Sequence, residues 1–133
     1  MMDVNLTQKK LETTLSNRIK TLYEKELKHQ LKEINYQLFK DKLIIIMEES
    51  VTQPELILNE SSKEDLAKRV RNFFDQILQP QIKNSIEEVL KVTIVDFLSD
   101  TTIETSRTAA IAIFELQSAN PSSETISYPT PPR

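Results

Sequence analysis

Apolar residues near the start of the chain fall at Leu11, Leu15, Ile19, Leu22, Tyr23 and Leu27, with gaps of one, three and four. That spacing draws one stripe of an amphipathic helix over about residues 6–31, with Lys, Glu, Thr and Asn on the opposite side. The period then drops to two. Ile34, Tyr36 and Leu38 alternate with Asn35 and Gln37, the pattern of a half-buried strand. Lys40-Asp41-Lys42 turns the chain, since Asp accepts turn geometry. Leu43–Met47, rich in β-branched isoleucine, is a second strand whose continuous apolar character predicts cover on both faces.

Thr52-Gln53-Pro54-Glu55 has the form of a capping box and opens a short helix that ends near Asn59. Ser61-Ser62-Lys63-Glu64 repeats the signal and opens a long helix. Its expected core stripe is Leu66, Val70, Phe73, Ile77, Ile82, Ile86 and then Val89 or Leu90. Pro80 lies inside this run, lacks an N–H and clashes with the preceding turn, which predicts a kink or a split near Leu78.

After Lys91 the strand period returns. Val92, Ile94 and Leu98 are expected on one face, and Val95 and Phe97 on the other. The polar stretch 99–107 reads as a long hairpin connection. Ala109–Leu116 is the last strand, with Ile111 and Ile113 on one face and Ala110, Ala112, Phe114 and Leu116 on the other. From Gln117 the chain is Ser, Pro and Thr with few apolar residues, a composition that does not repay its ordering entropy. These patterns predict one α+β domain over residues 1–116 and a disordered tail over 117–133. The order is αββααββ, with a four-stranded, mainly antiparallel sheet and helices packed on one face. Strands apolar on both sides then require a second layer. A homodimer supplies it most simply, and Ile44, Ile46, Val95, Phe97 and Phe114 are the candidate interface residues.

Composition narrows the chemistry. The chain has 133 residues, no cysteine, one histidine and no glycine. Disulfides and thiolate metal sites are thereby excluded, and a multi-histidine metal site with them. Without glycine there is no Walker loop and no Gly-rich dinucleotide turn. No apolar run approaches the ~20 residues that cross a bilayer, so no transmembrane segment is expected. The polar N-terminus has no signal-peptide core, and a cysteine-free chain suits the cytoplasm. The net charge of −3 argues against a nucleic-acid partner.

Four groups of segments carry a family likeness: Ser50-Val51-Thr52-Gln53-Pro54-Glu55-Leu56-Ile57-Leu58; Pro80 ahead of Ile86-Glu87-Glu88-Val89-Leu90-Lys91-Val92; Val95-Asp96-Phe97-Leu98-Ser99-Asp100-Thr101; and Arg107 ahead of Ile111-Ala112-Ile113-Phe114. Together, over about residues 9–116, they resemble the MpsC-like family of bacterial domains. The resemblance implies association with a cation-translocating, membrane-potential-generating system, whose relatives support bicarbonate uptake. It implies a membrane transport complex as partner and a place at the inner membrane through that partner. It carries over no active site. Where many relatives have a glycine before the first strand and another near the last hairpin, this chain has Glu33 and Ser106-Arg107.

Candidate chemistry is sparse. The 99–107 segment groups Asp100, Thr102, Glu104 and Arg107, which suits a small anion or a partner's charged group. The competing account is a solvated loop whose hydroxyls satisfy turn hydrogen bonds. Glu48-Glu49 and Glu87-Glu88 are sequence neighbours that point apart on a strand or helix, so they read as surface charge. His29 lacks an orienting acid and a nucleophile. Phe73-Phe74 and Tyr23 read as core, and the lysines of the first helix as a solvated face interleaved with glutamates. No catalytic constellation, cofactor motif or metal set emerges. The expectation is a non-enzymatic accessory or regulator, with an anion-binding sensor as the alternative.

Overall fold

The computed structural model describes residues 4–115. The expected tail over 117–133, and Leu116, lie outside the described residues. The elements are α1 (Val4–Leu27), β1 (Glu33–Phe39), β2 (Lys42–Glu48), α2 (Gln53–Glu60), α3 (Glu64–Leu90), β3 (Thr93–Thr102) and β4 (Arg107–Glu115). The strands form one antiparallel sheet in the order β1-β2-β4-β3. The α+β class and the αββααββ order are therefore as the periodicity predicts.

Strand parity decides which side chains meet the helices. Leu43, Ile45 and Met47 of β2 and Ala110, Ala112 and Phe114 of β4 face inward, onto Leu15, Ile19 and Tyr23 of α1 and Leu78, Ile82 and Ile86 of α3. At about 25 cal/mol per Å² of apolar surface removed from water, this shared layer is the main stabilising term of the fold. α1 runs antiparallel to α3, joined by the Arg18–Glu88 ion pair and by Gln81 donating to Glu26 at 3.1 Å. A smaller cluster of Val51, Ala67 and Ile103 sits beneath α2, with Leu56 and Leu58 packed against it.

Several sequence expectations are corrected. The long helix runs unbroken from Glu64 to Leu90 with Pro80 inside it, so Pro80 does not split it. Pro80 and Gln76, whose carbonyl loses its partner, are both exposed, so water can take the place of the missing bond. The buried side of α3 is Ala67, Arg71, Leu78, Ile82, Ser85 and Ile86, one position out of step in its first half from the expected Leu66-Val70-Phe73-Ile77 row. Ser61-Ser62-Lys63-Glu64 does not cap α3. The Ser61 hydroxyl donates back to the Ile57 carbonyl at 2.7 Å, and Lys63 holds the N-cap position without a side-chain bond.

The last hairpin also differs. The 99–107 stretch is not a long loop, because β3 and β4 pair through Thr102↔Arg107 and only residues 103–106 turn. Buried Ile103 anchors the turn, and Ser50 N–H donates to the Ser106 carbonyl at 3.0 Å. A register shift between Ile94 and Asp96 makes Val95 a bulge. The extra residue reverses the alternation, so Phe97 joins Ile94 on the inner face and Leu98 turns outward.

Turns are made without glycine. Lys28, Lys40, Glu49, Ser62, Lys91 and Ser106 all have φ between 54° and 63°. Lys28 ends α1 and Lys91 ends α3 in this left-handed geometry, the place where glycine is favoured.

Candidate functional site

Three features of the molecule bear on function: the 99–107 cluster, a buried charge network, and the sheet face that the described helices leave open. Asp100, Thr102 and Arg107 share the outer face of the β3–β4 hairpin, and Glu104 is exposed in its turn. They do not converge on a pocket. Arg107 is engaged across the sheet, its Nε donating to both carboxylate oxygens of Glu48 at 3.0 Å. Asp100 accepts from the Thr101 amide at 2.9 Å.

The buried network went unseen in the sequence. Glu55, fully buried, accepts from Arg71 Nε at 2.7 Å and from Arg71 Nη2 at 2.9 Å. The same carboxylate reaches back to the Thr52 amide at 2.9 Å, as the capping box predicts, and accepts from the Thr52 hydroxyl at 2.9 Å. Arg71 also donates to the Ser50 carbonyl at 2.9 Å and to Asp75 at 3.3 Å. Nearby, the Ser50 and Thr108 hydroxyls bond at 2.7 Å. Burial works to lower the Arg71 pKa, but the Glu55 carboxylate more than offsets it and holds the guanidinium above its ordinary value. Burial raises Asp75, with Arg71 opposing, and raises Tyr23 beside it. Every member is bonded, and no buried side-chain polar atom among the described residues is unsatisfied. The network clasps α2, α3 and the 50–52 segment together. Its sequence signal was Arg71 lying four residues beyond Ala67 and four before Asp75, within reach of the capping glutamate.

The open sheet face has a different character. Outward residues are Ile44 and Ile46 of β2, Ile111 and Ile113 of β4, Leu98 of β3 and Phe39 of β1, with bulged Val95 at the β3 edge. Leu98 is 59% exposed, Val95 45% and Ile111 37%. Ile44, Ile46 and Ile113 are half-buried by their strand neighbours alone. Around this apolar centre stand Glu33, Asp96, Asp100 and Glu115, while Lys42 is paired with Asp41 and Arg107 with Glu48. Of the five expected interface residues, Ile44, Ile46 and Val95 lie on this face. Phe97 and Phe114 do not. Phe114 is 3% exposed and Phe97 is packed against the same core, because the bulge and the β4 alternation direct both toward the helices. Leu98, Ile111 and Ile113 take their places.

Two solvent-open grooves lie elsewhere among the described residues. One of about 470 Å³ lies at the end of α1, lined by Lys20, Glu24, Lys28 and Leu31 among others. One of about 550 Å³ lies between α3 and β3, lined by Asp75, Gln79, Lys83 and Phe97 among others. No described helix is long and apolar enough to cross a membrane.

A family model described as "Na+-translocating membrane potential-generating system (MpsC)" matches residues 7–116. No curated protein and no solved structure matches the chain.

Proposed function

The chain belongs to the MpsC family, and from that premise we propose that it is a non-enzymatic accessory or regulatory protein of a membrane-potential-generating cation or inorganic-carbon transport system. It acts at the cytoplasmic side of the inner membrane through a protein partner, as a homodimer joined by the outer faces of two sheets. The observation that carries the assembly half is the apolar outer face, Ile44, Ile46, Leu98, Ile111 and Ile113, which none of the described helices covers.

Size supports a second copy as the occupant. Four strands ~4.8 Å apart and seven residues at ~3.4 Å each give a projected face of roughly 450 Å². The accessible area of a corrugated face exceeds its projection, which brings it toward the ~800 Å² per partner of a standard interface. Apolar centre and charged rim are also the usual anatomy of such a contact.

Sedimentation equilibrium at micromolar concentration tests the dimer. Twice the 15.4 kDa chain mass is expected, falling to one chain mass for a folded Ile111→Glu variant; a wild-type monomer at all concentrations refutes it. Tagged chain bound to native membranes tests the accessory half. Enrichment of ion-translocating components is expected, and their absence with an intact dimer overturns the accessory reading.

A further inference from the structure

α3 carries more apolar residues than its packing uses. Its buried side is formed by Ala67, Arg71, Leu78, Ile82 and Ile86. Leu66, Val70, Phe73 and Ile77 form a second row, stepped four, three, four, roughly a third of the way round the helix from the first. Phe73 is 59% exposed and Leu66 38%, with Val70 and Ile77 half-buried. That stepping is the seam by which one helix packs on another.

The open flank follows from the length of α1. The Arg18–Glu88 pair and the Gln81–Glu26 bond place α1 antiparallel along α3. α1 then stops at Leu27, beside the middle of α3. Over its first three turns α3 meets α2 on its buried side, through Ala67 and Arg71, and no described helix continues α1 along the flank that Gln81 and Glu88 occupy.

We infer that this flank is a docking surface for a short, acidic, amphipathic helix of another protein. Leu66 to Ile77 spans about 16 Å at ~1.5 Å per residue, the length of a three-turn helix. A strip this short falls well below the ~800 Å² per partner that a stable dimer uses, which argues against a second copy here. Charge selects the partner. Lys63 lies three residues before Leu66, and Arg69 three after Leu66 and four before Phe73, so both border the row. Neither is in an ion pair among the described residues, and Arg69 does not reach Asp65 one turn earlier. An acidic helix with apolar residues at the same stepping satisfies both the row and the two cations. The row lies on the helix layer, away from the outer sheet face, so the inference does not depend on the dimer.

The test uses the full chain and two synthetic helical peptides of about 18 residues with leucine at the seam positions. One carries glutamate at the flanking positions and the other lysine. In anisotropy titrations at ~0.1 M salt, where the Debye length is ~10 Å, the glutamate peptide is expected to bind at least tenfold tighter. Phe73→Asp should weaken it at least tenfold, Arg69→Glu should reverse the preference, and Ile111→Glu should leave it unchanged. Both altered α3 residues are exposed, so circular dichroism should match wild type. Absence of saturable binding overturns the inference, as does equal affinity for the two peptides. So does a Phe73→Asp chain that sediments at half the wild-type mass, which would assign the row to a second copy.

Discussion

Arg71 and Glu55 show how a charged pair is kept inside a small domain. Each partner is multiply bonded: Glu55 by the Thr52 amide and hydroxyl as well as by Arg71, and Arg71 by Ser50 and Asp75 besides. Removing one partner strands the other, and such losses cost about 3–5 kcal/mol. Arg71→Met is therefore expected to lower the urea-derived stability by that amount. Glu55→Gln added to it should restore part of the loss, because a neutral amide is cheaper to bury than an unpaired carboxylate. If the single variant loses less than about 1 kcal/mol, the clasp is not a stabilising feature. Tyr36 gives a second residue-scale expectation. Burial pushes its hydroxyl up from 10.0 to about 12, only partly opposed by the bond with Ser16 at 2.8 Å. The folded value lies above the unfolded one, so the Tyr36 contribution is complete below pH 10 and is lost as pH rises from about 10 to about 12. The stability difference between wild type and Tyr36→Phe should shrink across that window; a constant difference measured by urea titration would contradict it. Among the left-handed positions, Ser106 at φ 56° stands where glycine costs least. Ser106→Gly should leave stability unchanged or raise it by up to about 1 kcal/mol, offset by the Ser106 hydroxyl's bond from the Val51 amide at 3.1 Å.

At the scale of elements, Pro80 is the test of how α3 tolerates an interior proline. Proline costs ~3 kcal/mol in a helix interior, less what its stiffness removes from the unfolded chain. Pro80→Ala should therefore stabilise the domain by about 2 kcal/mol in thermal and urea unfolding, and no gain would mean that hydration of the Gln76 carbonyl offsets nearly all of the cost. Elements with a regular period were legible in the sequence. Leu15, Ile19 and Tyr23 are buried as their spacing predicts, and β1, β2 and β4 follow simple alternation. Errors arose where a local rule was overridden from outside the segment. The bulge at Val95 inverted the reading of Phe97 and Leu98, and periodicity carries no mark of a one-residue insertion. In α3 two apolar rows compete. The buried one includes Arg71, whose burial depends on Glu55, sixteen residues away in the chain, and a hydrophobicity pattern discounts it. The polar 99–107 stretch read as a loop because Ser, Asp and Thr dominate it. Its strands are held by pairing with β4 and by Ile103 beneath α2, both long-range facts.

At the scale of the whole molecule, the two layers are unequally protected: the inner sheet face is sealed by α1 and α3, while the outer one presents isoleucines to its surroundings. The dimer proposed for that face has an electrostatic signature that separates it from a charge-driven contact. Lys42 and Arg107 are already paired with Asp41 and Glu48, which leaves Glu33, Asp96, Asp100 and Glu115 as the unpaired rim. Two such faces bring like charges together around an apolar centre. Repulsion across the rim acts through solvent and is screened as the Debye length shrinks from ~10 Å at 0.1 M salt to ~3 Å at 1 M. Association should therefore tighten several-fold between about 0.05 and 0.5 M sodium chloride, whereas an interface held by opposite charges weakens over the same range. Ile111→Glu places a further carboxylate at the apolar centre, and a buried unpaired charge should weaken the dimer at least a hundredfold, about 3 kcal/mol. Asp96→Asn and Asp100→Asn together should act the other way and reduce the salt dependence. Sedimentation equilibrium across a salt series reads all three. A dimer that loosens as salt rises would contradict an interface with a like-charged rim around an apolar centre.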